Sequence, residues 1–207
     1  MAAVESYNKR HNERSQPQSI TVSSATNRKA LMSTISSISP SQIAYLTTSQ
    51  IASLSTADIK LLSTAQIAQM SSAQIDAIET RDMVILSSAQ IGAFDANQFK
   101  DGIYDKLSLI SASQVKGLTT AQLSAFTTAH VAYLDTKDIS ALNTAQLNSL
   151  QTQVLAAFST AQIRSLSTAQ LAGLTTTQLA AFGTDDMLAL STKQLRALTT
   201  EQIASLG

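Results

Sequence analysis

The sequence predicts an all-α solenoid of short capped helices, one per octapeptide repeat. Residues 39–206 divide without a gap into 21 octads of consensus S/T-T-A-Q-I/L-A-x-L, from SPSQIAYL to TTEQIASL. Position five is apolar in all 21 octads, Ile43 to Ile203, and position eight in 20, with Gly102 the exception. Position one is Ser, Thr, Asp, Asn or Gly in 18 octads, and position four is Gln in 14 and Asp in four.

Each octad carries a helix-start signal. Ser or Thr at position one is an N-cap, and Gln three residues on reaches back to the cap's N–H, completing a capping box. Position eight of the preceding octad then lies at N′ and position five at N4, the pair that forms a hydrophobic staple. Pro40 follows Ser39 at N1, where a missing N–H costs nothing. Ala, Gln and Leu sustain the helix once begun. One continuous helix is excluded by the period, because eight residues overshoot two turns by about 80° and wind the apolar stripe around the axis. A β-solenoid is the alternative architecture, since Ser, Thr and Ile suit strands, but positions five and eight would face opposite sides of a strand unless every octad bent.

So short a helix is stable only against neighbours, so the octads must stack. Position seven is small in Ala77, Ala93, Ala125, Ala141, Ala157, Gly173 and Ala181, which permits close approach, while Lys60, Lys100, Arg164 and Arg196 mark position six as outward. The octads without Gln at position four carry Asp58, Asp82, Lys106, His130 and Val154 in every third octad, besides Asp138 and Asp186. Three octads per turn would place those five in one column. Seven turns at roughly 8–10 Å per layer make a rod about 60–70 Å long.

The solenoid is expected over residues 31–206, with LMSTISSI at 31–38 a degenerate leading octad and an irregular break at 95–110, DANQFKDGIYDKLSLI. Breaks in repeat arrays map to surface loops, which makes this one a candidate contact point. Residues 1–30 form a polar N-terminal extension whose Lys9, Arg10, Arg14, Arg28 and Lys29 against Glu5 and Glu13 give a net +3, leaving −3 for the rest. Its composition predicts disorder, apart from a short extended stretch around Ser19, Ile20, Thr21 and Val22.

The composition excludes several functions. The formal charge is zero, so no nucleic-acid partner is expected; with no Cys there is no disulfide framework or thiol chemistry. No apolar stretch approaches the roughly 20 residues of a membrane span, and the N-terminus has no secretory-signal character. His11 and His130 are the only histidines, and His130 replaces a capping Gln, so no catalytic set assembles and no enzyme activity is expected. Asp185 and Asp186 after Gly183 offer too few alternating oxygens for a calcium loop, and Asp186 reads as a helix-start carboxylate. No metal or cofactor is expected. Thr48, Thr56, Thr64, Thr120 and Thr128 at position two predict rows of hydroxyls along the corners.

The tandem STAQIRSL, STAQLAGL and TTTQLAAF resemble octapeptide repeats of large bacterial secreted or surface-associated proteins, over about four-fifths of the chain. That resemblance implies an extracellular structural or adhesive role and carries no catalytic residues. Without a secretory signal, it implies signal-peptide-independent export. The array ends on an ordinary octad and one glycine, which leaves its last apolar layer, with Ile203 and Leu206, for head-to-tail association into a homo-oligomer or filament. Those two residues and Ser19–Val22 are the candidate assembly residues. The alternative role is a binding module whose Thr rows or central break recognise a glycan, an ice plane or a host protein.

Overall fold

The computed structural model describes residues 35–98 and 104–206. Among them there is no strand. Helices of four to six residues succeed one another from Pro40–Ile43 to Thr200–Ala204, with 3-10 turns at Ile35–Ser37 and Tyr104–Leu109. The all-α solenoid is therefore the fold, and the β alternative is not. The polar extension and its Ser19–Val22 stretch lie outside the described residues, as does the middle of the central break.

The capping boxes form as the sequence requires. At Thr119 the Gln122 N–H donates to the hydroxyl at 3.2 Å, and the Thr119 N–H donates to Gln122 Oε1 at 2.7 Å. Asp135 and Asn143 cap in place of Ser or Thr, whereas Glu79 and Gln151 make no side-chain cap bond. Gly183 has no side chain to offer, so only the return bond survives, from its N–H to Asp186 Oδ2 at 3.1 Å. Positions five and eight fill the interior, Ile163 and Leu166 being one such pair.

Stacking relates each octad to the third one before it. Ala112–Val115 packs between Ser88–Ile91 and Thr136–Ala141, which in turn meets Thr160–Ser165. Thr120–Ser124 meets Thr144–Asn148, and Thr128–Val131 meets Thr152–Leu155, in the same relation. Three octads thus make one turn, and the solenoid is three columns of stacked helices. Asp58, Asp82, Lys106, His130 and Val154 do share one column.

Position-four glutamine ties successive turns together. Its Oε1 is engaged by the cap, and its Nε2 donates to backbone carbonyls of a helix end one turn below. Gln122 Nε2 reaches Ile91 O at 2.8 Å and Phe94 O at 2.7 Å. Gln114 reaches Met83 O and Leu86 O, and Gln170 reaches Ile139 O and Leu142 O, all at 2.8–2.9 Å. The register is fixed at 28 and 31 residues back.

This bracket resolves a problem that short helices create. The last carbonyls of a helix have no partner within it, and the usual remedy is a residue in the left-handed region, most often glycine. No described residue has a positive φ. The glutamine of the next turn supplies the donor instead, so the chain can pass directly into the following N-cap.

Small residues at position seven sit where turns touch. A Cβ on Gly117 would lie 2.1 Å from the Ser88 carbonyl oxygen, and one on Gly173 would lie 2.0 Å from Thr144 Cγ2. Position six is exposed at Lys60, Arg164 and Arg196, the outward face read from the sequence, while Lys100 lies outside the described residues.

Candidate assembly and binding surfaces

The final turn, residues 183–206, presents an apolar face. Position five is almost wholly buried through the interior turns, yet Leu195 is 41% exposed and Ile203 57%. Leu188, at position six, is 79% exposed and Leu206 41%. The cause is geometric, because the cover for position five comes from the turn above. The last glutamine bracket, that of Gln202, reaches down to Leu171 O and Leu174 O. Among the described residues, the helix ends from Leu179 upward accordingly receive no glutamine from above. Ile203 and Leu206 are thus partly exposed apolar residues of this last described turn. Toward the opposite end Gln42 is exposed, together with Tyr45 and Leu61.

The described residues on either side of the middle of the central break keep octad features. Residues 96–98 are helical, Asp95 caps them by accepting from Asn97 N–H at 2.7 Å and Gln98 N–H at 2.8 Å, and Gln98 makes its bracket to Ile67 O and Met70 O. Beyond residues 99–103, Tyr104–Leu109 rejoins its column against Thr80–Met83. Lys106 takes over the glutamine's downward role, its ammonium donating to the Asp76 carbonyl, to Ile78 O at 3.0 Å and to Asp76 Oδ1 at 3.3 Å. Beside it lies a shallow cleft of about 520 Å³ lined by Asp76, Glu79, Arg81 and Lys106. Arg81 pairs with Glu79 at 2.8 Å and with Asp82 at 3.7 Å, so the cleft's cations are engaged by its own acids.

The other substitutions in this column are each absorbed differently. Asp82 receives the Thr56 hydroxyl at 2.7 Å. His130 stacks on Phe126 at 4.9 Å between centroids, and its Nδ1 accepts from the Thr127 N–H at 3.0 Å, the capping role read from the sequence. Val154 has no polar atom, and Gln151 at position one donates to Ser124 O at 2.8 Å in its stead.

One carboxylate in a neighbouring column is electrostatically distinct. Asp138 is buried, and that burial pushes its carboxyl up to about 6, against the opposing hydrogen bond to Asp135. The Asp138 N–H hydrogen bond holds the exposed Asp135 below its ordinary value, opposed by desolvation.

The threonine rows are real but uneven. Thr128, Thr152, Thr176 and Thr200 follow one another up one column and are all exposed. In the adjoining column Thr144 and Thr168 are half-buried. No helix among the described residues is long and apolar enough to cross a membrane.

Three stretches, residues 51–78, 149–184 and 179–207, match the model of the ALTTAQ repeat family. The chain is a repeat protein similar to that family over these stretches. No curated protein and no solved structure matches it.

Proposed function

We propose that this repeat protein is structural and non-catalytic and associates end to end with further copies of itself, as a filament or a cell-surface or extracellular matrix subunit. The observation that carries this reading is the face formed by Leu195, Ile203 and Leu206. It is the surface that a further turn covers everywhere else in the column, and a second copy offers such a turn. A heterologous contact of this kind propagates when its rotation does not close. The bacterial extracellular setting rests on the resemblance of the octads alone.

Sedimentation and negative-stain microscopy test the reading. The 207-residue chain should associate in a concentration-dependent way. Leu195→Lys combined with Ile203→Lys should abolish association while leaving helicity within a few per cent of wild type. A strictly monomeric wild type at high concentration would contradict it. Residues 1–30, with net charge +3 against −3 for the rest, suit a clasp across the joint. Their deletion should weaken assembly, make what remains less salt-sensitive and leave monomer helicity unchanged; normal assembly would exclude the clasp.

A second reading is favoured by the exposed row Thr128, Thr152, Thr176 and Thr200, which suits an adhesive or binding module for a glycan, an ice plane or a host protein. Replacing that row with Ala should remove such binding without loss of helix. Unchanged binding to the same surface would exclude the face.

A further inference from the structure

Position seven carries a large apolar side chain at Leu61, Ile85, Leu109 and Tyr133, and in the other octads only at Tyr45. Those four octads follow one another in a single column. Thr56–Leu61 packs against Thr80–Met83, that helix packs against Tyr104–Leu109, and Thr128–Val131 comes in the next turn. Val84, at position six, stands beside Ile85. The result is an apolar ridge along the solenoid axis, with one position-seven side chain per turn. Leu61 is 60% exposed and Val84 48%, while Ile85, Leu109 and Tyr133 are half-buried. The column itself does not require large residues here, because its later octads carry Ala157, Ala181 and Ser205 at position seven and are helical all the same.

Where the ridge stops, a cleft begins. Between the turn of Tyr133 and the turn of Ala157 lies a hollow of about 500 Å³ whose lining includes Val131, Ala132, Leu134, Asp135 and Ala157. Its walls are apolar, and Asp135 places an exposed carboxylate at its rim.

We propose that the ridge pairs side by side with the ridge of an antiparallel second copy, Leu61 of each seated in the cleft of the other, and that this contact joins end-to-end assemblies in twos.

The occupant follows from the spacing. A partner for the whole ridge must offer apolar groups at the rise of the layers, roughly 8–10 Å, and a second copy does so by construction. Parallel copies related by a two-fold along the axis would set each ridge residue against its own counterpart. Antiparallel copies can stagger by about half a layer and still make the same contacts from both sides, as an isologous interface requires. The cleft fits that stagger, since it lies about half a turn beyond Tyr133. With the Leu61 of one copy in the cleft of the other, its Ile85 falls between Leu109 and Tyr133 and its Leu109 between Ile85 and Leu109. The two-fold then returns the other copy's Leu61 to the first cleft. Lys60, exposed beside Leu61, meets the exposed Asp135 at the cleft rim, so the charges also match in this register.

One ridge is narrow against the roughly 800 Å² per partner of a standard interface, so isolated copies pair weakly. Copies strung end to end add their ridges, because two antiparallel strings repeat at the same subunit length and every ridge finds its counterpart. The pairing therefore rests on the end-to-end reading, and breaking that joint removes both.

Negative-stain microscopy and cross-linking test the pairing. The wild type should form double filaments. Leu61→Asp combined with Val84→Lys, both at exposed positions, should give single filaments with helicity unchanged, and so should Ala157→Phe, which fills the cleft. The chain has no cysteine, so a mixture of Lys60→Cys and Ala156→Cys proteins can be joined by a short bismaleimide. It should give the 60–156 product and no 60–60 product, because two residues 60 lie about 28–35 Å apart along the axis of the pair. This measurement keeps the ridge and the cleft intact and so decides even if a ridge variant fails to fold. Single filaments from the wild type, or a 60–60 product at the yield of the 60–156 product, would overturn the pairing and leave the end-to-end joint standing. A wild type without filaments would overturn both.

Discussion

Replacing Gln122 with Glu is expected to destabilise the column on the order of 3–5 kcal/mol at neutral pH, although Glu is as good a partner as Gln in an isolated capping box. The side chain is 1% exposed, and its Nε2 serves Ile91 O and Phe94 O. Glutamate retains the acceptor for the Thr119 N–H but turns a charged oxygen toward two carbonyls. The bond is lost and an uncompensated charge is buried. The loss should shrink as pH falls and the acid becomes neutral. The control is Gln42→Glu, at an exposed position that among the described residues serves only its own capping box with Ser39, and it should cost less than about 1 kcal/mol. Chemical denaturation of the two variants in parallel provides the comparison. Equal losses would mean that glutamine serves only its own helix.

The second large effect is expected at Gly117. Its hypothetical Cβ would meet the oxygen, carbon and Cα of Ser88 at 2.1, 2.6 and 2.8 Å, and backbone has no rotamer to escape into. Gly117→Ala must therefore push two turns apart, at a cost of about 2–4 kcal/mol, in spite of alanine's better helix propensity. Gly183→Ala is the counterpart, since its nearest neighbour is the Asp186 carboxylate at 3.6 Å and an added Cβ makes ordinary contact. That change should fall within about 1 kcal/mol of wild type. Thermal unfolding of both variants separates a requirement for close approach from a general effect of glycine. If Gly117→Ala is neutral, the turns are not in contact there.

Much of this fold is local and so can be read from single octads. Ser159 and Gln162 declare a capped helix, and Phe158 with Ile163 declares its staple, all within one short run of chain. The three-octad period is also legible, because Asp58, Asp82, Lys106, His130 and Val154 break the glutamine pattern in one column while the other columns mostly keep it. The bracket itself is not. Its donor and acceptors are 28 and 31 residues apart, and that distance has meaning only once three octads close a turn. One signal is present in the sequence: a capping box accepts Glu as readily as Gln, yet Gln stands at position four in 14 octads and Glu in none. An acceptor alone would not impose that choice, whereas a donor requirement does. The compensations at Thr56 and Gln151 depend on the same closure and are equally hidden. Of the candidate assembly residues, Ile203 and Leu206 are exposed, whereas Ser19 to Val22 fall outside the described residues.

The central claim, three octads per turn with each helix seated on the one three octads before it, is tested most directly by distances between spin labels. The chain has no cysteine, and Ala132, Ala156, Ala180 and Ala204 are exposed position-six residues of a single column. Cysteine pairs at 132 and 180, and at 132 and 204, should report two and three layers, about 16–20 Å and about 24–30 Å, with label flexibility broadening both. A separation that grows in equal steps with each added turn confirms the columns. A 132–204 separation near the roughly 108 Å of a continuous helix, or one that fails to increase in even steps, would contradict them.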